Sequence, residues 1–410
     1  MQIGQGYYES LRWNGRVIRG WLEATADVYL QAMVEKSPFS IDLERLFQAG
    51  MRADEVRLQD RLIESRGIRI PSIVRADMMD GDKVCEVQIF GQGWEHMHAI
   101  SQVMLGDDAN FGIGLDYGFL KAMQDLTGRE KPGILYLNSH RPTYSGSSYF
   151  LGEVARLGGR TYLTHHKYPI PNLEGYDVVA SPMGYPLRAF NDFEGASRMW
   201  KAYRDGKIQM EPPPIQLFRS KFAMALPFHP NTSELYSDAV RDLFPPTIIV
   251  DPMISPGLPE MIASEDGTFT LDWERVTPWD RVCELPASRR RLVLKYGGAY
   301  SQKGEGGGSK GVFDLEGGRK GVKEHMDNAL SDAENDAPWV VQMKIDSDYQ
   351  VPRWEDGHLQ YDRMHMRLTP VYWLPIAGGA EIMGGSALFR RDWKVHGQPD
   401  SVNHAIQVVD

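Results

Sequence analysis

Residues 291 to 313, RLVLKYGGAYSQKGEGGGSKGVF, set an apolar strand ending in Lys295 directly before a glycine-rich loop that carries Ser309 and Lys310. Glycines at 304, 306, 307, 308 and 311 have no Cβ to hold the backbone away from a ligand, so successive N–H groups can turn toward phosphate oxygens. Lys295, at the end of a buried strand, supplies a fixed positive charge beside them. A glycine run of this kind also serves as a plain flexible linker. The residue order is not that of a Walker loop, in which Gly-Lys-Ser/Thr opens a helix after four intervening residues, so a P-loop nucleotidase is set aside.

The chain has 410 residues, 42% hydrophobic and 24% charged, enough for two or three packed units at about 100–200 residues each. Its net charge of −10 disfavours a polyanionic partner, which argues against nucleic acid or an anionic membrane and for small substrates. Two cysteines, Cys85 and Cys283, are too few for a disulfide framework and fit a reducing compartment. No basic-flanked apolar leader opens the sequence and no stretch of about 18 apolar residues crosses it. The expectation is a cytoplasmic protein. Composition sets no oligomeric state.

Residues 21–66 repeat apolar side chains at three- and four-residue steps, which predicts helices with Ser40 as a cap. IRIPSIVRADMM and KVCEVQIF, joined through Asp80-Gly81-Asp82, predict a β-hairpin, followed by helix over roughly 94–127. From 133 to 205 strands alternate with helices as in an αβ layered unit. EPPPIQ at 211–216 marks a joint. Beyond it, FRSKFAMALPF and SELYSDAVRDLFP predict helices, while PPTIIVDP, RRLVLKYGG, PWVVQMKI and HMRLTPVYWLP predict strands.

Four segments carry the chemistry. The hairpin places Arg75 and Asp77 on one face of its first strand, and Glu86 and Gln88 on one face of its second. If the register aligns those faces, two carboxylates, an amide and a guanidinium converge, a set of hard oxygens suited to Mg²⁺; the same pattern also describes a charged, solvent-facing stripe. Lys295 and its glycine loop offer a phosphate cradle. Gln342, Met343 and Lys344 end a strand whose backbone can meet an adenine edge, or which is an ordinary interior strand. Lys221, in FRSKFAMAL, opens a predicted helix. Tyr144, Ser145, Ser147 and Ser148 follow a strand at the mouth of the αβ unit, where substrates commonly dock. His96, His98, His165 and His166 lack the ligand spacing of a zinc site.

In this order the segments resemble the circularly permuted branch of the ATP-grasp superfamily, which includes glutathionylspermidine synthetase. That branch begins its nucleotide domain with RxD and ExN on a hairpin. Arg75, Asp77 and Glu86 match it, and Gln88 stands where asparagine is expected, keeping the amide oxygen but adding a methylene. The resemblance spans roughly residues 70–410. It implies a mixed α+β and α/β fold, with ATP-grasp nucleotide lobes in permuted order and an inserted αβα unit. The implied divisions are a helical segment over 1–70, the metal-binding hairpin and following helix over 70–130, an αβ substrate unit over 131–212, and nucleotide lobes over 213–410.

The resemblance further implies that Lys221 and Lys295 are the nucleotide lysines, that Gly306, Gly307, Gly308 and Ser309 form the loop over the phosphates, and that Gln342 to Lys344 form the adenine hinge. Asp77, Glu86 and Gln88 would hold Mg²⁺, while Arg75, Lys295 and Arg367 would face the transferred phosphate, with Arg390, Arg391 and Asn403 as further candidates. The implied reaction is ATP- and Mg²⁺-dependent joining of a carboxylate to an amine through an acyl phosphate. Phosphoryl transfer spreads charge over oxygens, so it calls for positioned cations rather than a protein nucleophile. An ATP-binding scaffold without turnover and a small-molecule kinase are the alternatives.

Overall fold

The computed structural model describes the chain except residues 36–42, 44–45, 50, 52, 80–81, 91–93, 139–144, 166, 182–191, 216, 264–268, 298–310, 335–336, 338, 356–357 and 394–400. A short strand β1 (Gln2–Gly4) leads into helix α1 (Gln5–Glu35), and α2 (Ala53–Arg66) precedes the hairpin strands β2 (Ile73–Met79) and β3 (Lys83–Ile89). Helices α3 (Trp94–Leu105) and α4 (Leu115–Thr127) follow. The alternating unit comprises β4 (Gly133–Asn138), α5 (Ser145–Arg156), β5 (Arg160–His165), β6 (Val178–Ala180), α6 (Phe193–Arg204) and β7 (Gln209–Glu211). After α7 (Asp238–Leu243) come β8 (Thr247–Val250), β9 (Gly257–Ala263), β10 (Phe269–Pro278), β11 (Leu292–Tyr296), β12 (Val312–Asp314), α8 (Arg319–Glu334) and β13 (Trp339–Met343). Strands β14 (Asp348–Glu355), β15 (His358–Trp373), β16 (Glu381–Arg390), β17 (Val402–Ala405) and β18 (Gln407–Val409) complete the chain.

Three sheets organise these elements. The largest runs β17-β16-β15-β2-β3, with β14 added to β15, so the early hairpin is built into a sheet of late strands. A second runs β12-β11-β13-β8, and a parallel sheet runs β5-β4-β6-β7. In the parallel sheet every residue of β4 is buried. Ile134 and Tyr136 enter the core shared with α3, α4 and α5, whereas Leu135 and Leu137 enter the core under α6, the two-sided burial a parallel sheet requires. Two-stranded ladders join β9 to β10 and β1 to β18.

The N-terminal helix begins at Gln5, well before the expected start near residue 21. Gly15 lies where α1 crosses the large sheet: a Cβ there would sit 2.6 Å from the Tyr372 ring and 2.9 Å from Ala380 Cβ. Close packing outweighs the roughly 1 kcal/mol cost of glycine in a helix. Leu11, Ile18, Leu22 and Tyr29 bury the inward stripe of α1. The helix expected over 94–127 is two helices separated at Gly106–Gly114. FRSKFAMALPF is a series of 3-10 turns (Leu217–Arg219, Lys221–Met224, Leu226–Phe228) rather than a helix. Ser40, Asp80 and Gly81 lie outside the described residues. Among those described, no helix is long and apolar enough to cross a membrane.

Candidate functional site

The hairpin register pairs Arg75 with Gln88 and Asp77 with Glu86. Side chains alternate along β2, so Val74, Ala76 and Met78 enter the apolar core, and Arg75 and Asp77 share the other face, where both are buried. The register shifts between Asp77 and Met78, whose partners are Glu86 and Val84. Cys85 is therefore the extra residue of a β-bulge, outside the ladder pairing of β2.

That bulge is where the second sheet reaches the first. Lys295 Nζ, on β11, donates to Cys85 O at 3.1 Å across 210 sequence positions, and to Gln342 Oε1 at 2.5 Å. Gln342 Nε2 donates in turn to Thr247 Oγ1 at 3.0 Å, so the lysine hangs on a chain of bonds across β11, β13 and β8. Burial pushes the Lys295 pKa below the usual lysine value, partly offset by Cys85, Glu86 and Asp77. Desolvation pushes the Cys85 thiol up to about 11 despite the nearby Lys295; it stays protonated at neutral pH and is no nucleophile.

Lys221 is brought to the same place by a tight contact. Ser220 caps the turn that Lys221 opens, its Oγ accepting from Phe222 N–H. Gly297 O accepts from both Lys221 N (2.9 Å) and Ser220 Oγ (3.1 Å). A Cβ at Gly297 would lie 2.2 Å from the buried Phe222 ring, so only glycine permits this approach. Lys221 Nζ then stands 3.5 Å from Glu86 Oε1.

Arg367 arrives from β15, pairing with Met79 in the ladder. Its Nη1 donates to Asp77 Oδ2 at 3.2 Å, while its Nε is buried with no partner among the described residues. Arg75 donates to Asp77 through Nε (3.0 Å to Oδ1) and Nη2 (3.3 Å to Oδ2), and Gln88 Nε2 through a 3.2 Å bond to Oδ2. Among the described residues, Arg75, Arg367, Lys221 and Lys295 thus gather on the face of the hairpin that carries Asp77 and Glu86. Such a site suits a polyanion.

The other predicted residues fall differently. Gln342 contributes its side chain, whereas the Met343 and Lys344 amides already donate to Pro246 O and Arg291 O, both at 2.9 Å. Residues 339–343 lie inside the sheet between β11 and β8, so an adenine edge finds neither of those two N–H groups open. The Lys344 ammonium is held by Asp314 (2.7 Å) and Glu316 (2.5 Å). Gly306, Gly307, Gly308 and Ser309 lie outside the described residues. Arg391 bonds Asp362 at 2.7 Å, Arg390 stands 3.7 Å from Asp392, and Asn403 is exposed.

Of one polar group sequence reasoning offered only Ser147, and it missed a second. At the carboxyl end of β4, Tyr136 Oη and Ser147 Oγ donate to the buried Glu95 (2.7 and 3.1 Å), and Asn138 donates to Ser147 (2.9 Å). Farther along the same sheet, the fully buried Glu211 accepts from both Arg69 terminal nitrogens at 3.1 Å and from the Ser72 and Ile73 amides at 2.9 and 3.2 Å. This cluster ties β7 to the start of the hairpin. Glu211 opens EPPPIQ, which reads only as a joint.

Among the described residues no group of three or more His, Cys, Asp or Glu could hold a metal ion. The hairpin therefore fits Mg²⁺ only as this ion is commonly bound, through one or two carboxylates with water and substrate phosphate completing the shell. Glu86 fits, half-buried and facing the lysines.

No protein-family model matches the chain, and neither does any curated protein. Its structure is similar to that of a glutathione synthetase like-effector (GSS30) from Globodera pallida, solved in apo form. The TM-score is 0.52 at 12% sequence identity, covering 100% of this chain and 89% of that one. The likeness is one of fold. The chain has a mixed α/β, glutathione synthetase-like architecture.

Proposed function

We propose that the chain is an ATP- and Mg²⁺-dependent carboxylate–amine ligase of the circularly permuted ATP-grasp type. The observation that carries this reading is the meeting of Lys295 with the bulged acidic hairpin, 3.1 Å from nitrogen to carbonyl, where two further arginines and Lys221 converge. Early hairpin strands lying within a sheet of late strands support the permuted order, and the glutathione synthetase-like fold supports the ligase class.

In this proposal Lys221 and Lys295 hold the nucleotide phosphates. Glu86 holds the metal, which neutralises charge on those phosphates when bound. Arg75 and Arg367 face the carboxylate that becomes phosphorylated: its oxygen bonds to the γ-phosphorus as the bond to ADP breaks. The substrate amine then attacks the acyl carbon, phosphate leaves, and the amine proton passes to solvent. The four cations are fixed before reaction, so they stabilise developing charge without reorganising. We assign the small-molecule amine or carboxylate to the carboxyl end of β4, where Asn138 and Ser147 lie beside Glu95 of α3.

Hydroxylamine trapping tests the reaction class. With ATP, Mg²⁺ and a panel of carboxylic acids, an acyl phosphate yields a hydroxamate and ADP. ADP with a stable phosphate ester identifies a kinase instead, and nucleotide binding without ADP release from any acid identifies a scaffold.

A further inference from the structure

We infer that Asp77 is a positioning residue that clamps Arg75 and Arg367, and that it does not enter the metal's shell. The inference deepens the ligase reading and rests on it. A carboxylate has about four lone-pair sites. From the described residues Asp77 receives at least four donors: Arg75 Nε on Oδ1 at 3.0 Å, and Arg75 Nη2, Gln88 Nε2 and Arg367 Nη1 on Oδ2 at 3.3, 3.2 and 3.2 Å. Three donors on Oδ2 leave no lone pair there for a cation. Oδ1 lies beside the Arg75 guanidinium, where a divalent ion meets direct repulsion.

The opposite carboxylate differs in each respect. Glu86 stands 3.5 Å from Lys221, with Lys295 also near, and is partly open to solvent. The cross-strand pair Asp77–Glu86 therefore divides its labour: Glu86 faces the metal and Asp77 faces the arginines. Bidentate pairing fixes the plane of Arg75. The Arg367 contact joins β15 to β2 at the level where the hairpin bulges, so one carboxylate sets both guanidiniums relative to the phosphate lysines. Arg367 is half-buried, and its buried Nε has no partner among the described residues, which is costly for a structural arginine and consistent with one held for an incoming anion.

The test uses Mn²⁺ in place of Mg²⁺, with a non-hydrolysable ATP analogue, read by electron paramagnetic resonance on the full chain. Glu86→Gln should weaken Mn²⁺ binding by more than about tenfold, since even outer partners of metal ligands are worth about 10–100-fold. Asp77→Asn should leave Mn²⁺ affinity unchanged while lowering kcat with the KM for ATP intact. Equal loss of Mn²⁺ in both variants overturns the inference.

A measurement on the unmodified protein covers the case in which Asp77→Asn fails to fold. The ¹⁵N side-chain signals of Arg75 and Arg367, assigned with Arg→Lys variants, should show hindered rotation that persists when metal and nucleotide are added. Release of both guanidiniums on metal addition means that Asp77 has turned to the metal, and the clamp is refuted. Should the wild-type chain bind neither Mn²⁺ nor nucleotide, the ligase reading falls; freely rotating guanidiniums in that same protein would separately remove the clamp.

Discussion

Lys295→Met is the sharpest perturbation of the site. The ammonium has three N–H donors, and two are committed to Cys85 O and Gln342 Oε1, which leaves one for a phosphate oxygen. Methionine keeps an unbranched chain of similar length and fills the same space, so the substitution subtracts that one donor and the charge. A hydrogen bond to a charged group is worth about 1.5–3 kcal/mol, which at about 1.4 kcal/mol per decade predicts nucleotide binding weakened by roughly 10- to 150-fold. Stability should change little, because removal of a partly desolvated ammonium offsets the two bonds it made. Titration calorimetry with an ATP analogue gives the affinity, and a urea melt checks the fold. A melt unchanged together with less than about threefold weakening, roughly 0.6 kcal/mol, would refute the placement of this lysine against the phosphates.

Three further outcomes follow from the geometry. Gly297→Ala drives a Cβ to 2.2 Å from the Phe222 ring; overpacking of this kind costs about 1–3 kcal/mol and pushes Lys221 off Glu86, so a lower urea midpoint should accompany weaker nucleotide binding, and wild-type values for both would count against the contact. Glu211→Ala removes the carboxylate from the half-buried Arg69 guanidinium and from two buried amides and should cost about 3–5 kcal/mol in denaturant unfolding; a loss near 1 kcal/mol would equate it with a surface ion pair. Nucleotide affinity should fall as pH rises through the lowered pKa of Lys295, below the ordinary 10.5, because phosphate binds the charged form and raises its pKa; affinity is full below that window, and Lys295→Met should show no such step.

The parts of the site legible in sequence are those written as local alternation. RAD and EVQ put their polar residues two apart, which fixes a shared face, and the register then had only to pair Asp77 with Glu86. The cations Lys221, Lys295 and Arg367 were legible as residues beside apolar runs. What sequence concealed depends on shape at a distance. Nothing in KVCEVQ announces a bulge at Cys85. Gln342 read as backbone because its side-chain partner is 47 positions away, and Glu211 answers an arginine 142 positions away. Residues 217–228 form 3-10 turns because Pro227 and the Gly297 contact override a pattern of apolar spacing that fits a helix. The β9–β10 ladder has a signal in the strand-like run FTLDWERV, just ahead of the lysine strand.

Gly297 and the Cys85 bulge explain why the order of segments along the chain matters so little to the site. A ladder fixes neighbours by register, so strands near residue 75 and strands near residue 370 can share a sheet whichever is made first. The relation between two sheets has no register of its own and must be set by particular atoms. Here Cys85 O, outside the hairpin pairing, joins the two by receiving Lys295, while Gly297 O, approachable only without a Cβ, ties the turn of Ser220 and Lys221 to the second sheet. Each carbonyl places one lysine, and both lysines come to the side of the hairpin that carries Glu86. Two lysines from different segments therefore share one orientation toward an anion.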